Sequence, residues 1–87
     1  MGKDESVSVT GGRTVSIGKA DSLDVGKTLS ITAADSITIT TGSASISMKN
    51  DGTITISGKD ITITGSGEIV GKATKNMTLK GQKILQN

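Results

Sequence analysis

The chain has no Cys, no His, no Pro and no Phe, Tyr or Trp among its 87 residues. Each absence removes a class of function. Without Cys there is no disulfide to support a small fold, although zero Cys says nothing about the redox compartment. Without His or Cys, the nucleophile–base pairs of covalent catalysis and the usual soft metal sets are missing. Without aromatics there is no platform on which nucleic-acid bases could stack. Ten basic residues against eight acidic leave a net charge of +2, too little for an electrostatic nucleic-acid footprint. No apolar run approaches membrane-spanning length, and no signal-peptide core follows Met1.

What remains is aliphatic, hydroxylic and regular. The chain carries 11 Ile, 5 Val and 4 Leu amid Ser, Thr and 12 Gly. At this length there is at most one domain. Burying these aliphatics falls short of the cost of ordering the chain. Backbone hydrogen bonding or partner chains must supply the difference. Disorder fits badly, because the aliphatics are ordered in sequence rather than scattered.

The order is a period of eight. Gly-Lys occurs at Gly2-Lys3, Gly18-Lys19, Gly26-Lys27 and Gly58-Lys59, all separated by multiples of eight. Lys75 and Lys83 share the phase of these lysines, and Gly42 that of the glycines. Val7, Val15, Leu23, Ile31, Ile39, Ile63 and Leu79 share one apolar phase. Two residues later stand Val9, Ile17 and Val25; two residues earlier stand Leu29, Ile37, Ile61, Ile69, Met77 and Leu85. Apolar residues at i, i+2 and i+4 point to one side of an extended strand. Ser8, Ser16, Asp24, Ser30, Thr38, Thr40 and Thr62 lie between them and suit the solvated side. A corner of about three residues follows, led by Gly, which tolerates positive φ. Each octad therefore predicts a strand of about five residues plus a corner. A helix is excluded by the spacing of two and by the Gly and β-branched content.

Two irregularities stand out. Ile46, Met48, Ile54 and Ile56 are one residue out of phase, with a nine-residue step from Ile39 to Met48 and a seven-residue step from Ile54 to Ile61. This reads as a longer corner or bulge near Ser43–Ser45 that keeps the isoleucines inward. Gly71, Ala73 and Gly81 also fall at inward phases, so the interior is expected to narrow or loosen there.

One octad does not close a coil. Three octads, about 24 residues, make one triangular turn, either within one chain or as three chains winding round one axis. The expected fold class is all-β, an intertwined triple-stranded β-helix or trimeric β-prism. A lone solenoid of so few coils needs caps, and no helical or aromatic cap is present. In a trimer the other chains supply backbone partners along the length and leave edges only at the ends. About ten octads at a strand spacing of about 4.7 Å give a rod of roughly 45–50 Å. The expected interior is Val7, Val9, Val15, Ile17, Leu23, Val25, Leu29, Ile31, Ile37, Ile39, Ile46, Met48, Ile54, Ile56, Ile61, Ile63, Ile69, Met77 and Leu79.

The pairs Ile17-Gly18, Val25-Gly26 and Val70-Gly71, with the ending GEIVGKATKNMTLKGQKILQN at residues 67–87, resemble the C-terminal needle of the VgrG family. That family is the valine-glycine repeat spike of the bacterial type VI secretion system, similar to the central spike of contractile phage tails. The resemblance covers essentially the whole chain. Between Ile31 and Thr64 the apolar-Gly pair is absent, and spacing alone carries the likeness. The resemblance implies a homotrimer with a triple-stranded β-helix that helps puncture a target-cell envelope. It also implies a PAAR-repeat tip protein docked on the C-terminal end, no cofactor, assembly in the bacterial cytoplasm and then secretion. The docking surface would be Lys80, Gln82, Lys83, Ile84, Leu85, Gln86 and Asn87. Ile84 and Leu85 are adjacent, so only one can face inward; the other either contacts the partner or helps plug the end of the prism. Some phage spikes sharpen their own tip with a His-bound metal, a device this His-free chain lacks. Gly2-Lys3 already keeps the octad phase, so residues 1–87 read as one needle segment of a longer chain.

Other chemistries find little support. The acids fall mostly at corners or outer positions, whereas acid–base catalysis needs paired groups in a cleft. Asn50-Asp51-Gly52 reads as turn chemistry. Gly65-Ser66-Gly67 lacks the helix that a phosphate loop needs and reads as a corner. Thr38-x-Thr40, Thr53-x-Thr55 and Thr62-x-Thr64 resemble the threonine arrays of ice-binding solenoids. Their spacings of 15 and 9 would not stack them in a three-octad coil. A generic adhesin or fibre stalk shares the rod but lacks a docking end.

Overall fold

A computed structural model describes residues 4–86. Gly2, Lys3 and Asn87, which carry parts of the sequence reading, lie outside the described residues. Contacts divide the chain into two units, Met1–Ile31 and Thr32–Asn87.

The first unit contains no helix and no paired strand among its described residues. Its backbone runs in stretches interrupted by bends at residues 10–11, 18–19 and 26–27, eight residues apart. The last two bends fall on the Gly-Lys pairs. The second unit bends at residues 34–35, 59–60, 66–67 and 74–75 and at Gln82. Two of its bends are tight. A Cβ on Gly65 would lie 2.7 Å from the Ile69 Cγ1 and 3.1 Å from the Glu68 carbonyl oxygen. One on Gly81 would lie 3.2 Å from the Lys83 carbonyl oxygen. Glycine is what lets the chain double back so closely.

Among the described residues, regular structure is confined to the middle of the second unit. Strands β1 (Ser36–Thr41), β2 (Ala44–Lys49) and β3 (Ile54–Ser57) form one antiparallel sheet in the order β1-β2-β3. The protein is thus all-β, without a helix among the described residues. The first connection is the two-residue loop Gly42-Ser43, since Thr41 pairs with Ala44. Gly42 has φ +55° and Ser43 does not share the positive sign, the pattern of a type II′ hairpin. Its twist matches that of the strands it joins. The second connection is Asn50-Asp51-Gly52. The Gly52 N–H donates to the Lys49 carbonyl (3.1 Å) and the Lys49 N–H to the Thr53 carbonyl (3.0 Å). Gly52 sits at φ +95°, as in a three-residue loop closed by a glycine bulge. The Thr53 N–H donates to Asp51 Oδ1 at 3.1 Å, and the Asn50 N–H donates to the Asp35 carbonyl at 2.9 Å.

The sheet departs from two expectations. Between residues 36 and 57 the backbone partners come from the same chain and run antiparallel, rather than from other chains. The phase slip at Ile46–Ile56 is a hairpin reversal, not a bulge in a continuing coil. The reason is steric: a type II′ loop needs glycine at its first central position, and Gly42 supplies it. Outside the sheet the octads form no strands among the described residues, because an extended segment becomes a strand only when it has a partner.

Candidate interaction surface

In an antiparallel sheet, directly opposed residues share a face. Ile37 pairs with Met48 and Met48 with Ile54; Ile39 pairs with Ile46 and Ile46 with Ile56. One face therefore carries two rows of three aliphatic side chains and no charge. The other carries the rows Thr38–Ser47–Thr55 and Thr40–Ser45–Ser57, with Ser36 opposite Lys49. Next to the row Ile39–Ile46–Ile56 lies a hollow of about 340 Å³, also lined by Ala44, Gly58 and Ile61. Its lining is aliphatic apart from a few hydroxyls and Asp60. It offers a fit for apolar side chains and no set of groups for chemistry.

Beyond the segment around Gly58 and Ile61 that borders this hollow, the aliphatic face is open to solvent among the described residues. Among the described residues no hydrophobic side chain is buried. Every described Ile, Leu and Val except the half-buried Ile37 is exposed, together with Met48 and Met77. The expected interior residues are included: Leu23 is 73% exposed, Ile63 74%, and even Ile46, in the central strand, 43%. Among the described residues, the backbone–backbone hydrogen bonds outside strands all lie between residues 35 and 53. The flanking octads thus present both apolar side chains and backbone N–H and C=O groups to solvent.

At the expected docking end, Lys80, Gln82, Lys83, Ile84, Leu85 and Gln86 are all exposed, Leu85 most of all at 89%. Asn87 lies outside the described residues. Both Ile84 and Leu85 face solvent, so neither is yet committed to an interior.

One electrostatic feature escaped the sequence reading. Thr53, chiefly through its hydroxyl and then its backbone N–H, holds the Asp51 carboxyl below its ordinary range. Hydrogen bonds to the charged form favour it, so the ionised carboxylate belongs to the folded loop. Asn-Asp-Gly between two Ile-rich runs is a hairpin signal that could have revealed this loop. The sequence reading placed Asn50-Asp51-Gly52 at a turn but did not pair the strands on either side.

The sheet's aliphatic face, largely open to solvent, marks a surface suited to association. Over 51 residues, or 59% of its length, the chain is 63% identical to the type VI secretion system spike protein VgrG1b of Pseudomonas aeruginosa. The chain spans 7% of the length of that relative. No family model matches the chain. No solved structure matches it either.

Proposed function

We propose that residues 1–87 form one needle segment of a contractile injection spike of the type VI secretion kind, acting as a homotrimer. The observation that carries this reading is the exposure of nearly every aliphatic side chain in a single chain. Exposed apolar area of this extent marks an association surface. The eight-residue spacing of bends in the first unit supports repeated strand-and-corner units, and the likeness to a named spike protein supports the setting. In the trimer, the Ile, Val, Leu and Met side chains of the expected interior turn toward the common axis. Ser, Thr and Lys stay outside, and the octads on either side of residues 36–57 find backbone partners on neighbouring chains. The product is a stiff rod with no catalytic cleft and no cofactor. It is assembled in the bacterial cytoplasm and delivered with the machine into the target-cell envelope or beyond it. Residues Lys80 and Gln82 to Asn87 form the seat of a PAAR-repeat tip protein, with Ile84 or Leu85 as its apolar contact.

Sedimentation equilibrium tests the assembly: three chains per particle is the expected mass, and a monomer refutes it. Deleting residues 82–87 tests the docking end. The shortened chain should remain trimeric and lose capture of a PAAR-repeat protein, whereas retained capture moves the seat elsewhere.

Ice binding is the second reading, and one observation favours it. The sheet brings Thr38 and Thr55 into one row, which the three-octad coil would not do. Thermal hysteresis close to freezing would establish it and sink the spike.

A further inference from the structure

We infer that residues 36–57 are a panel that each chain builds by itself, and that three such panels from three copies close a short prism and lock the chains in register. The inference rests on the trimeric reading above and says how the chains are arranged within it.

The first support is parity. The aliphatic positions from Val7 to Ile39 are odd-numbered, and so are Ile61, Ile63, Ile69, Met77, Leu79 and Leu85; Val70 and Ile84 are even, but each directly adjoins one of these, whereas Ile46, Met48, Ile54 and Ile56 are even with no odd aliphatic beside them. A regular winding octad gives no even window unless a bulge is added and later taken back. The hairpins give one directly. Across the two-residue loop, Ile39 pairs with Ile46, an odd step of seven, so residues on one face must change parity. Across the three-residue loop, Ile46 pairs with Ile56, an even step of ten, so parity is kept. The bend at residues 59–60 then separates Ile56 from Ile61 by five and restores the odd phase. The even window thus coincides with β2 and β3.

The second support is length. Ile37 to Ile61 spans 24 residues, as does Ile39 to Ile63. In an intertwined trimer each chain moves one face per octad, so three octads bring it back to its starting face. A three-stranded panel never leaves that face. An odd number of strands also leaves the chain running in its original direction, which two or four would reverse. Either arrangement puts three strands on each face of the prism. The panel therefore replaces one turn of winding without changing the height or sense of the rod.

The occupant of the aliphatic face follows. The face carries six Ile and Met side chains and no charge, so an identical face meets it without a buried ion. Its apolar phase connects at both ends to that of the flanking octads, so the chains that cover those octads also cover the panel. Uniform octads alone would allow one chain to slip by eight residues with Val and Ile still inward, because repetitive strands specify register weakly. A hairpin panel has no such alternative: all three must sit level.

The test introduces two cysteines into this Cys-free chain, as Thr38→Cys with Ser47→Cys. The two positions are directly paired and lie on the hydroxyl-bearing face, away from the interior. After mild oxidation, the panel predicts a disulfide within one chain, read as single-chain mass less two hydrogens under denaturing conditions, in a particle that sediments as a trimer. Winding through this region would instead stack residue 38 of one chain on residue 47 of the next. Covalent dimers and trimers would then appear and overturn the panel while leaving the trimer intact. A trimer that forms no disulfide also overturns the panel. A monomeric particle overturns the trimeric reading itself, and the closed prism with it.

Discussion

Replacing Ile46 by Ala probes the aliphatic face at its centre. Ile46 lies in the central strand, paired with Ile39 on one side and Ile56 on the other. In the single chain it keeps 43% of its surface exposed. If the face stays open to water, truncation costs only part of a side-chain burial, about 1 kcal/mol. If three copies close over it, the site is a core position, where Ile→Ala costs about 2–5 kcal/mol per chain. Three chains then lose roughly 6–15 kcal/mol per trimer. At about 1.4 kcal/mol per tenfold, the lower bound weakens the trimer dissociation equilibrium by about four powers of ten. Sedimentation over a dilution series reads that shift directly, and thermal melting at fixed chain concentration reads it a second time. Ser47→Ala, one residue along on the opposite face, is the matched control and should leave the dilution curve in place. An Ile46→Ala curve that superimposes on that of Ser47→Ala would refute a closed aliphatic face.

Two further outcomes follow from the loops. Gly52 sits at φ +95°, so Gly52→Ala should cost about 1–2 kcal/mol in urea unfolding. Gly18→Ala should cost far less, since Gly18 has ordinary φ and nothing within 4 Å of an added Cβ; equal costs would place the strain elsewhere. The lowered pKa of Asp51 sets a pH dependence. The folded loop favours the charged form, so its contribution is present above the ordinary carboxylate range and is lost as pH falls through the lowered value. Amide exchange at Thr53 should therefore quicken in acid, and Asp51→Asn should flatten that response.

Much of the fold was legible because its signals are periodic. The spacing of two among Val7, Val9, Val15 and Ile17 excludes helix wherever the chain folds. The Gly-Lys phase placed bends at residues 18–19 and 26–27. The reversal at Gly42 was not legible in the same way. Its trace, the shift of Ile46 to an even position, fits a bulge in a coil as well as a hairpin, because both keep isoleucine on one face. Only strand pairing separates them. The proposed docking end is less legible still. Ile84 and Leu85 are neighbours with opposite directions in a strand, and their exposure in a single chain leaves the choice between them to whatever covers them.

The sequence by itself determined the local conformation: extended stretches, corners led by glycine, aliphatics on one side and hydroxyls on the other. These follow from side-chain alternation and backbone sterics within a few residues. The tertiary structure decided which strands pair, and in which direction. Pairing joins residues separated by a loop, and it depends on whether that loop can reverse the chain. Gly42 and Gly52 can adopt the positive φ that reversal requires, so β1, β2 and β3 find one another within the chain. The octads on either side have aliphatics to bury and backbone groups to satisfy, and the single chain leaves both facing outward among the described residues.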